Sequence, residues 1–365
     1  MKKTIKRLLA TIMAAVLLLS ITACGNGQSD SGSADQSSET NSVGGDTGSG
    51  SDGTSEESSN ETEAAGEQTD ITLVLDWTPN TNHTGIYVAQ EKGYFEEAGL
   101  NVTVVQPPDG GAEQIVASGD AQFGIGFQDT MAPALTSNEP LPISAVAAVL
   151  QHNTSGLVSL EEKGIDSFGK MTGHSYATWD SPTEQAILKK LVEDDGGKWK
   201  DVELISTYVE DIVAGLNSDI DSVWIYSGWD GVKLEMEGIS THFLPFKDAD
   251  SVFDYYNPVV IGNDSYMNEH PDVVKAFTEA LKKGYEFAAE NPDESADILL
   301  AAAPELDENL VRRSQAYLSK EYVSDATSWG VIDSARWNAF YSWLNANKLV
   351  EKELPADAGL WPEHL

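Results

Sequence analysis

Short apolar runs rich in β-branched residues alternate with segments of helical periodicity over residues 71–246. Repeated alternation of this kind predicts mostly parallel α/β sheets. The predicted elements fall into two blocks. The first has strands at 71–75, 101–106 and 119–130 and helices at 86–92 and 112–118. The second has strands at 173–178, 202–208 and 221–226 and helices at 185–193 and 211–216. From residue 271 onward the pattern is helical. The chain is therefore expected to form two α/β lobes, with the helical tail folding back on the first.

The loop at 76–85 joins the first predicted strand to the first predicted helix. Loops at the carboxyl ends of strands are the usual ligand sites of α/β folds. This loop combines a carboxylate, an indole, amides and an imidazole, a composition typical of a binding site. In the alternative interpretation Trp77 belongs to the core, and Asn80 and Thr84 only cap the helix.

The first 70 residues predict export and anchoring. Residues 1–23 have a basic start and an apolar run, which indicates a signal peptide. The small residues before Cys24 resemble a bacterial lipobox, so Cys24 is predicted to carry the lipid. Cys24 is the only cysteine of the chain, which leaves no thiol for catalysis or soft-metal binding. Residues 24–70 are Ser-, Gly- and acid-rich, and predict a disordered tether.

The chain carries a net charge of −37. A nucleic-acid partner is not expected, because phosphate binding needs concentrated Lys and Arg. The acidity also argues weakly against an anionic ligand, although solubility outside the cytoplasm is the better explanation of it. We expect no cofactor and no metal site, since no second histidine lies at ligand spacing from His83.

The loop at 76–85, followed by Lys92, Gly93, Tyr94 and Phe95, resembles the NMT1/THI5-like substrate-binding proteins of ABC importers. The likeness is strongest to those that bind the thiamine precursors formylaminopyrimidine or hydroxymethylpyrimidine. It implies a type II periplasmic-binding-protein fold with a ligand cleft between two lobes. Lobe one would comprise residues 71–156 and 262–365 and lobe two residues 157–261, with crossings near Leu157 and Val260.

A flat aminopyrimidine needs aromatic faces and a rim of hydrogen-bonding groups. The candidate aromatic plates are Trp77, Tyr87, Trp179, Trp224, Tyr226 and Trp229. The candidate rim residues are Asp76, Asn80, His83, Gln128, Asp129, Asp180, Glu184 and Asn257. The family motif covers only Asp76, Trp77, Asn80 and His83, and predicted topology places the rest.

Asp76, and after it Glu184, is the predicted carboxylate for a paired, charge-assisted contact with the exocyclic amine. Several candidates have a structural alternative. Glu184 would also close a capping box with Ser181, Tyr87 would be core, and Trp224 and Tyr226 would both be packing residues.

Other functions remain open at this point. The same fold could bind riboflavin or a sulfonate. The family also resembles a pyrimidine synthase that consumes its own histidine and uses a pyridoxal lysine and a cysteine cluster, but the exported chain would lack cysteine. An adhesin would suit the tether but not the aromatic loops. The expected protein is a monomeric, lipid-anchored, extracytoplasmic binding protein, not an enzyme, and its partners are a permease and an ATPase.

Overall fold

A computed structural model describes residues 68–107 and 111–362. The predicted signal peptide, lipidated Cys24 and nearly all of the predicted tether lie outside these residues. None of the helices in the described ranges is long and apolar enough to cross a bilayer.

The described residues form ten strands. They are β1 Thr69–Val74, β2 Leu100–Val105, β3 Phe123–Gly126, β4 Ile143–Ala148, β5 Ser155–Leu160, β6 Ser175–Thr178, β7 Glu203–Ser206, β8 Ser222–Tyr226, β9 Thr241–Pro245 and β10 Val259–Asn263. One sheet has the order β2-β1-β3-β10-β4 and the other β7-β6-β8-β5-β9. In each sheet three strands are parallel and the remaining neighbours pair antiparallel. The predicted pair of α/β lobes is present.

Thirteen α-helices cover the sheets and build the tail in the described residues. They are α1 Thr84–Glu91, α2 Tyr94–Glu97, α3 Ala112–Ser118, α4 Gln128–Thr136, α5 Pro182–Asp194, α6 Ile212–Leu216, α7 Val232–Met236, α8 Phe246–Ala249, α9 Asp264–Glu269, α10 Pro271–Glu290, α11 Pro292–Ala302, α12 Glu308–Leu318 and α13 Ser334–Ala346. Helices α10 to α13 match the predicted helical tail. Local signals start them: Pro271 and Pro292 occupy first-turn positions, and Asp307 and Asp333 cap α12 and α13.

The chain passes between the sheets twice, at residues 149–154 and 246–258. Leu157, near which one crossing is expected, lies in β5 of the second sheet, and Val260, near which the other is expected, lies in β10 of the first. Strand β10 is wholly buried between β3 and β4, so it belongs to the first core. We call residues 68–148 with 259–362 lobe one, and residues 155–245 lobe two.

Residues 128–130 are helical, so the prediction that this segment continues a strand is wrong. Phe127 is still extended, and α4 begins at Gln128 with Met131 and Ala132 on its buried side. Pro133 inside the helix masked the helical pattern, because proline is normally a helix breaker. The early start places Asp129 in the first turn of α4.

Helix α1, which follows the loop at 76–85, is held against α10 by two glycines. An added Cβ at Gly85 would lie 2.2 Å from Cγ of Tyr285, and one at Gly284 would lie 2.1 Å from the carbonyl oxygen of Gly85. The Tyr285 hydroxyl also donates a hydrogen bond to the carbonyl of Asn82 at 2.7 Å. Close packing on α10 therefore fixes both the helix and the loop that precedes it.

Candidate functional site

A cavity of about 360 Å³ opens between the lobes. Lobe one contributes Asp76, Trp77, Asn80, Asn82, Phe127, Asp129 and Thr130. Lobe two contributes Ala177, Trp179, Ser181, Glu184, Tyr208, Val209, Glu210, Val223, Trp224, Tyr226, Trp229 and Asp230. Its walls come from loops and first helical turns that follow β1, β3, β6, β7 and β8, together with the ends of strands β6 and β8. This is the position at which α/β folds bind ligands.

Asn80 organises the loop at 76–85. Its side-chain oxygen accepts a hydrogen bond from the backbone N–H of Asn82 at 2.9 Å, and its amide nitrogen donates to the carbonyl of Thr78 at 3.0 Å. The capping role is therefore present. Trp77, however, is 42% exposed and faces the cavity, which does not fit the interpretation of Trp77 as core.

His83 orients Asp76 from behind. The imidazole is fully buried, and its Nδ1 accepts a hydrogen bond from the backbone N–H of Asn80 at 3.2 Å. Since Nδ1 is an acceptor, Nε2 carries the proton and donates it to Oδ1 of Asp76 at 2.6 Å. Asp76 belongs to the cavity lining and His83 does not, so the imidazole holds the carboxylate without lining the cavity itself.

Indole rings stand on both sides of the cavity. Trp77 of lobe one and Trp179 of lobe two are each 42% exposed, although large aromatic side chains are normally buried. Trp179 packs on Trp224 with ring centroids 5.6 Å apart and a 48° tilt. Trp224 is buried, and its Nε1–H has no hydrogen-bond partner among the described residues. Two apolar plates and one unused donor thus belong to the same cavity.

The polar part of the cavity wall is acidic. Its carboxylates are Asp76, Asp129, Glu184, Glu210 and Asp230, and the described lining contains neither Lys nor Arg. Such a wall attracts cations and amines and repels anions.

Two of these carboxylates have a raised pKa. Burial, and less strongly the Glu113 carboxylate, raises the pKa of Asp129 to about 6. Burial raises the pKa of Asp230 to about 6, although Lys233 opposes the shift. Oδ1 of Asp129 is buried without a hydrogen-bond partner in the described residues. The backbone N–H groups of Asp129 and Thr130 and the Tyr255 hydroxyl favour the charged form of this carboxylate and so oppose the rise of its pKa.

Glu184 lines the cavity, but its oxygens are used within lobe two. They accept hydrogen bonds from the Tyr176 hydroxyl at 2.5 Å, from Thr178 Oγ1 at 3.0 Å and from the backbone N–H of Trp179 at 3.2 Å. With Ser181 it completes the capping box of α5, as the structural alternative supposes. Glu184 thus holds the loop that presents Trp179.

Glu184→Gln is expected to lower the free energy of unfolding by about 2 kcal/mol, because an amide N–H₂ would face hydrogen-bond donors in a buried site. Urea denaturation followed by circular dichroism measures the change. Glu193→Gln, at an exposed position of the same helix, is the matched control and should leave the midpoint unchanged. Equal midpoints for wild type and Glu184→Gln would contradict this role.

Four other predicted site residues do not line the cavity. Tyr87 packs beside Ala296, Leu299 and Val311 in a small cluster under the tail. The Gln128 amide is consumed by backbone groups: it donates to the carbonyl of Trp337 at 2.9 Å and accepts from the N–H of Tyr256 at 3.0 Å.

The remaining two are Asp180, which is exposed, and Asn257. Asp180 accepts from the Ser206 hydroxyl at 2.9 Å. Asn257 is buried and donates to the hydroxyl of Tyr226 at 3.3 Å, so it supports a lining residue rather than joining the lining.

Other lining residues were not anticipated. Tyr208, which is 62% exposed, Val209 and Glu210 follow β7, and Asp230 follows Trp229 after β8. The rule that ligands lie at the carboxyl ends of strands would have found all four. Asn82 and Thr130 lie next to predicted residues and carried no separate signal.

Comparison with known proteins shows to which family the chain belongs. The NMT1/THI5-like family model matches residues 80–295. The chain is 31% identical over 295 residues to the formylaminopyrimidine-binding protein of Halalkalibacterium halodurans, covering 79% of this chain and 88% of that protein. It is 23% identical over 276 residues to the 4-amino-5-hydroxymethyl-2-methylpyrimidine phosphate synthase of Legionella pneumophila, covering 72% and 84% of the two chains.

A solved structure shows the same fold. The alkanesulfonate-binding protein SsuA from Xanthomonas axonopodis pv. citri matches with a TM-score of 0.62 at 13% identity, over 81% of this chain and 99% of that chain. The predicted periplasmic-binding-protein fold is confirmed.

Proposed function

Because the chain belongs to the NMT1/THI5-like family, we propose that it is an extracytoplasmic substrate-binding protein. Its ligand is a pyrimidine precursor of thiamine, formylaminopyrimidine or hydroxymethylpyrimidine, which it delivers to an ABC permease. The observation that carries this proposal is the cavity itself, which combines exposed indoles from both lobes with carboxylates and lacks basic side chains in its described lining.

The chemistry of an aminopyrimidine matches this wall. Its flat ring stacks on Trp77 and Trp179, whose apolar faces are otherwise in contact with water. The exocyclic amine donates to the carboxylates of Asp76 and Asp129. A ring nitrogen accepts from Nε1–H of Trp224, the donor that has no partner in the described residues.

The same wall disfavours an anionic ligand. A sulfonate in this cavity would face five carboxylates with no Lys or Arg in the described lining to offset them. The fold that this chain shares with a sulfonate-binding protein is therefore no evidence that the two proteins bind the same ligand. Riboflavin, a neutral heteroaromatic, is the runner-up, and its ring system is larger than a single pyrimidine.

Catalysis of the synthase type is disfavoured by the side chains present. A pyridoxal Schiff base needs a lysine, and the described cavity lining has none. The imidazole of His83 is buried behind Asp76 and hydrogen-bonded at both nitrogens. The single cysteine, Cys24, lies far along the chain from every lining residue.

Membrane attachment through Cys24 and the acidic tether completes the proposal. A lipidated Cys24 would keep the binding lobes near the permease while leaving them free to reorient. A monomer suffices, because one chain supplies both walls of the cavity.

A thermal-shift panel tests the ligand class. Hydroxymethylpyrimidine or formylaminopyrimidine at a hundredfold excess over its Kd should stabilise the purified protein by about 3 kcal/mol, whereas an alkanesulfonate should have no effect. A shift with the sulfonate or with riboflavin, and none with either pyrimidine, would overturn the proposal.

A further inference from the structure

Helix α12 of lobe one touches two segments that carry cavity residues. The first is the loop at 76–85, and the second is the turn Ser227–Gly231 of lobe two. The fully buried side chain of Ser314 joins them: its Oγ lies 2.5 Å from Oγ1 of Thr81 and donates a hydrogen bond to the carbonyl of Gly228. We propose that Ser314 is a positioning residue: its hydroxyl fixes the position of the lobe-one wall of the cavity relative to the lobe-two wall, as ligand binding requires.

The direction of the hydrogen bonds follows from the donors available. A serine hydroxyl has one proton, and Ser314 gives it to Gly228, whose carbonyl can only accept. The Thr81 hydroxyl must therefore donate to Ser314. On its other side Thr81 accepts at its carbonyl from the Tyr322 hydroxyl at 2.6 Å. Tyr322 thus holds the backbone of Thr81, and the Thr81 hydroxyl is linked through Ser314 to Gly228 of lobe two.

The lobe-two turn is also seated sterically on α12. An added Cβ at Gly228 would lie 2.8 Å from Cδ2 of Leu318, so a larger residue here would require the Leu318 side chain to shift. The adjacent Ser227 hydroxyl lies 2.8 Å from the hydroxyl of Tyr317. Trp229, one residue further on, packs against a cluster that includes Leu299 and Val311 of lobe one. The contact is therefore a packed interface with Ser314 at its polar centre.

This interface lies one or two residues from the cavity lining on both sides. Thr81 stands between Asn80 and Asn82, and Gly228 precedes Trp229 and Asp230. Ser314 itself does not line the cavity. Its hydroxyl sets where one wall stands relative to the other, while the exposed Trp77 and Trp179 remain free to approach each other around a ligand. The inference rests on the proposed binding function.

Ser314→Ala should weaken pyrimidine affinity about tenfold, because it leaves two buried groups, the Gly228 carbonyl and the Thr81 hydroxyl, without their partner. Ser295→Ala is the matched control. Ser295 is also fully buried in a tail helix, but its hydroxyl has no hydrogen-bond partner in the described residues. Isothermal titration calorimetry of the full chain, well below the melting temperature of each variant, gives the affinities.

Hydrogen exchange separates positioning from general destabilisation. Ser314→Ala should speed amide exchange in residues 80–84 and 227–231 several-fold while exchange in β1 and β6 stays unchanged. If Ser314→Ala fails to fold, Thr81→Val removes the same link and Thr81→Ser keeps it, so only the first should lose affinity and local protection.

Unchanged affinity together with unchanged local exchange in Ser314→Ala would overturn the inference. Uniformly faster exchange throughout the chain would overturn it as well, because Ser314 would then be only structural. If the wild-type protein binds neither pyrimidine, the proposed function fails. The exchange comparison then still decides whether Ser314 couples the two walls.

Discussion

Trp77→Ala should weaken binding of hydroxymethylpyrimidine by about 10- to 100-fold and leave the free energy of unfolding almost unchanged. Stacking of one base-sized ring on an aromatic side chain contributes about 1–3 kcal/mol, or about 5- to 150-fold in affinity, and the expected loss lies within these limits. Stability should not change much because the indole is 42% exposed and so adds little to the core. Calorimetric titration and urea denaturation measure the two quantities separately.

Leu204→Ala is the control for Trp77→Ala. Leu204 is a large apolar side chain that is also exposed, but it lies on β7 outside the cavity lining. Its truncation should leave the affinity at the wild-type value. A Trp77→Ala protein that does not fold would instead support Trp77 as a core residue, and a folded variant with wild-type affinity would remove the indole from the site.

Asp129→Asn should change affinity and stability in opposite directions. Losing the charge-assisted contact with the ligand amine should weaken binding by about 10- to 100-fold. The apo protein should become more stable at pH 8 by about 2–3 kcal/mol, because the wild type must bury a carboxylate whose pKa is raised from 3.8 to about 6.

The sign of the pH dependence follows from proton binding. Between pH 3.8 and about 6 the folded wild type holds a proton on Asp129 that the unfolded chain has released. The wild type therefore loses stability as the pH rises through this window, and the neutral Asn variant escapes the loss. The difference in the free energy of unfolding between Asp129→Asn and the wild type should be about half as large at pH 5 as at pH 8. Urea denaturation at the two pH values measures it.

Asp264→Asn is the control for the affinity of Asp129→Asn. Burial raises the pKa of Asp264 as well, and its Oδ1 has no hydrogen-bond partner in the described residues, but it lies on α9 away from the cavity lining. It should bind pyrimidine like the wild type. An Asp129→Asn variant that keeps wild-type affinity would show that this carboxylate does not serve the ligand. A variant that is less stable than the wild type at pH 8 would contradict the raised pKa of Asp129.

The arrangement of strands and helices was largely predictable because its signals are local. Apolar periodicity located the sheets, and the helical pattern from residue 271 onward located the tail, whose helix α10 begins at Pro271. Segment 128–136 was missed because Pro133 conceals a helix. The position of β10 between β3 and β4 depends on sheet pairing, which no local pattern reports.

The site was predictable at the level of loops but not of side chains. Strand ends indicated the correct edge of each sheet, and with it Trp77, Asp129 and Trp179. Whether a polar group faces a cavity depends on distant backbone partners. Gln128, for example, is occupied by backbone groups of Trp337 and Tyr256, more than 100 positions away in the chain. The acidity of the whole chain likewise did not reveal that the cavity lining among the described residues contains neither Lys nor Arg.

Native mass spectrometry of the purified protein tests the proposed ligand most directly. The protein is incubated with an equimolar mixture of hydroxymethylpyrimidine, riboflavin and an alkanesulfonate, and the mass of the bound species identifies the ligand that wins. The acidic, indole-walled cavity predicts a single complex that contains one pyrimidine per chain. A complex with the sulfonate or the flavin in its place would contradict the proposed function.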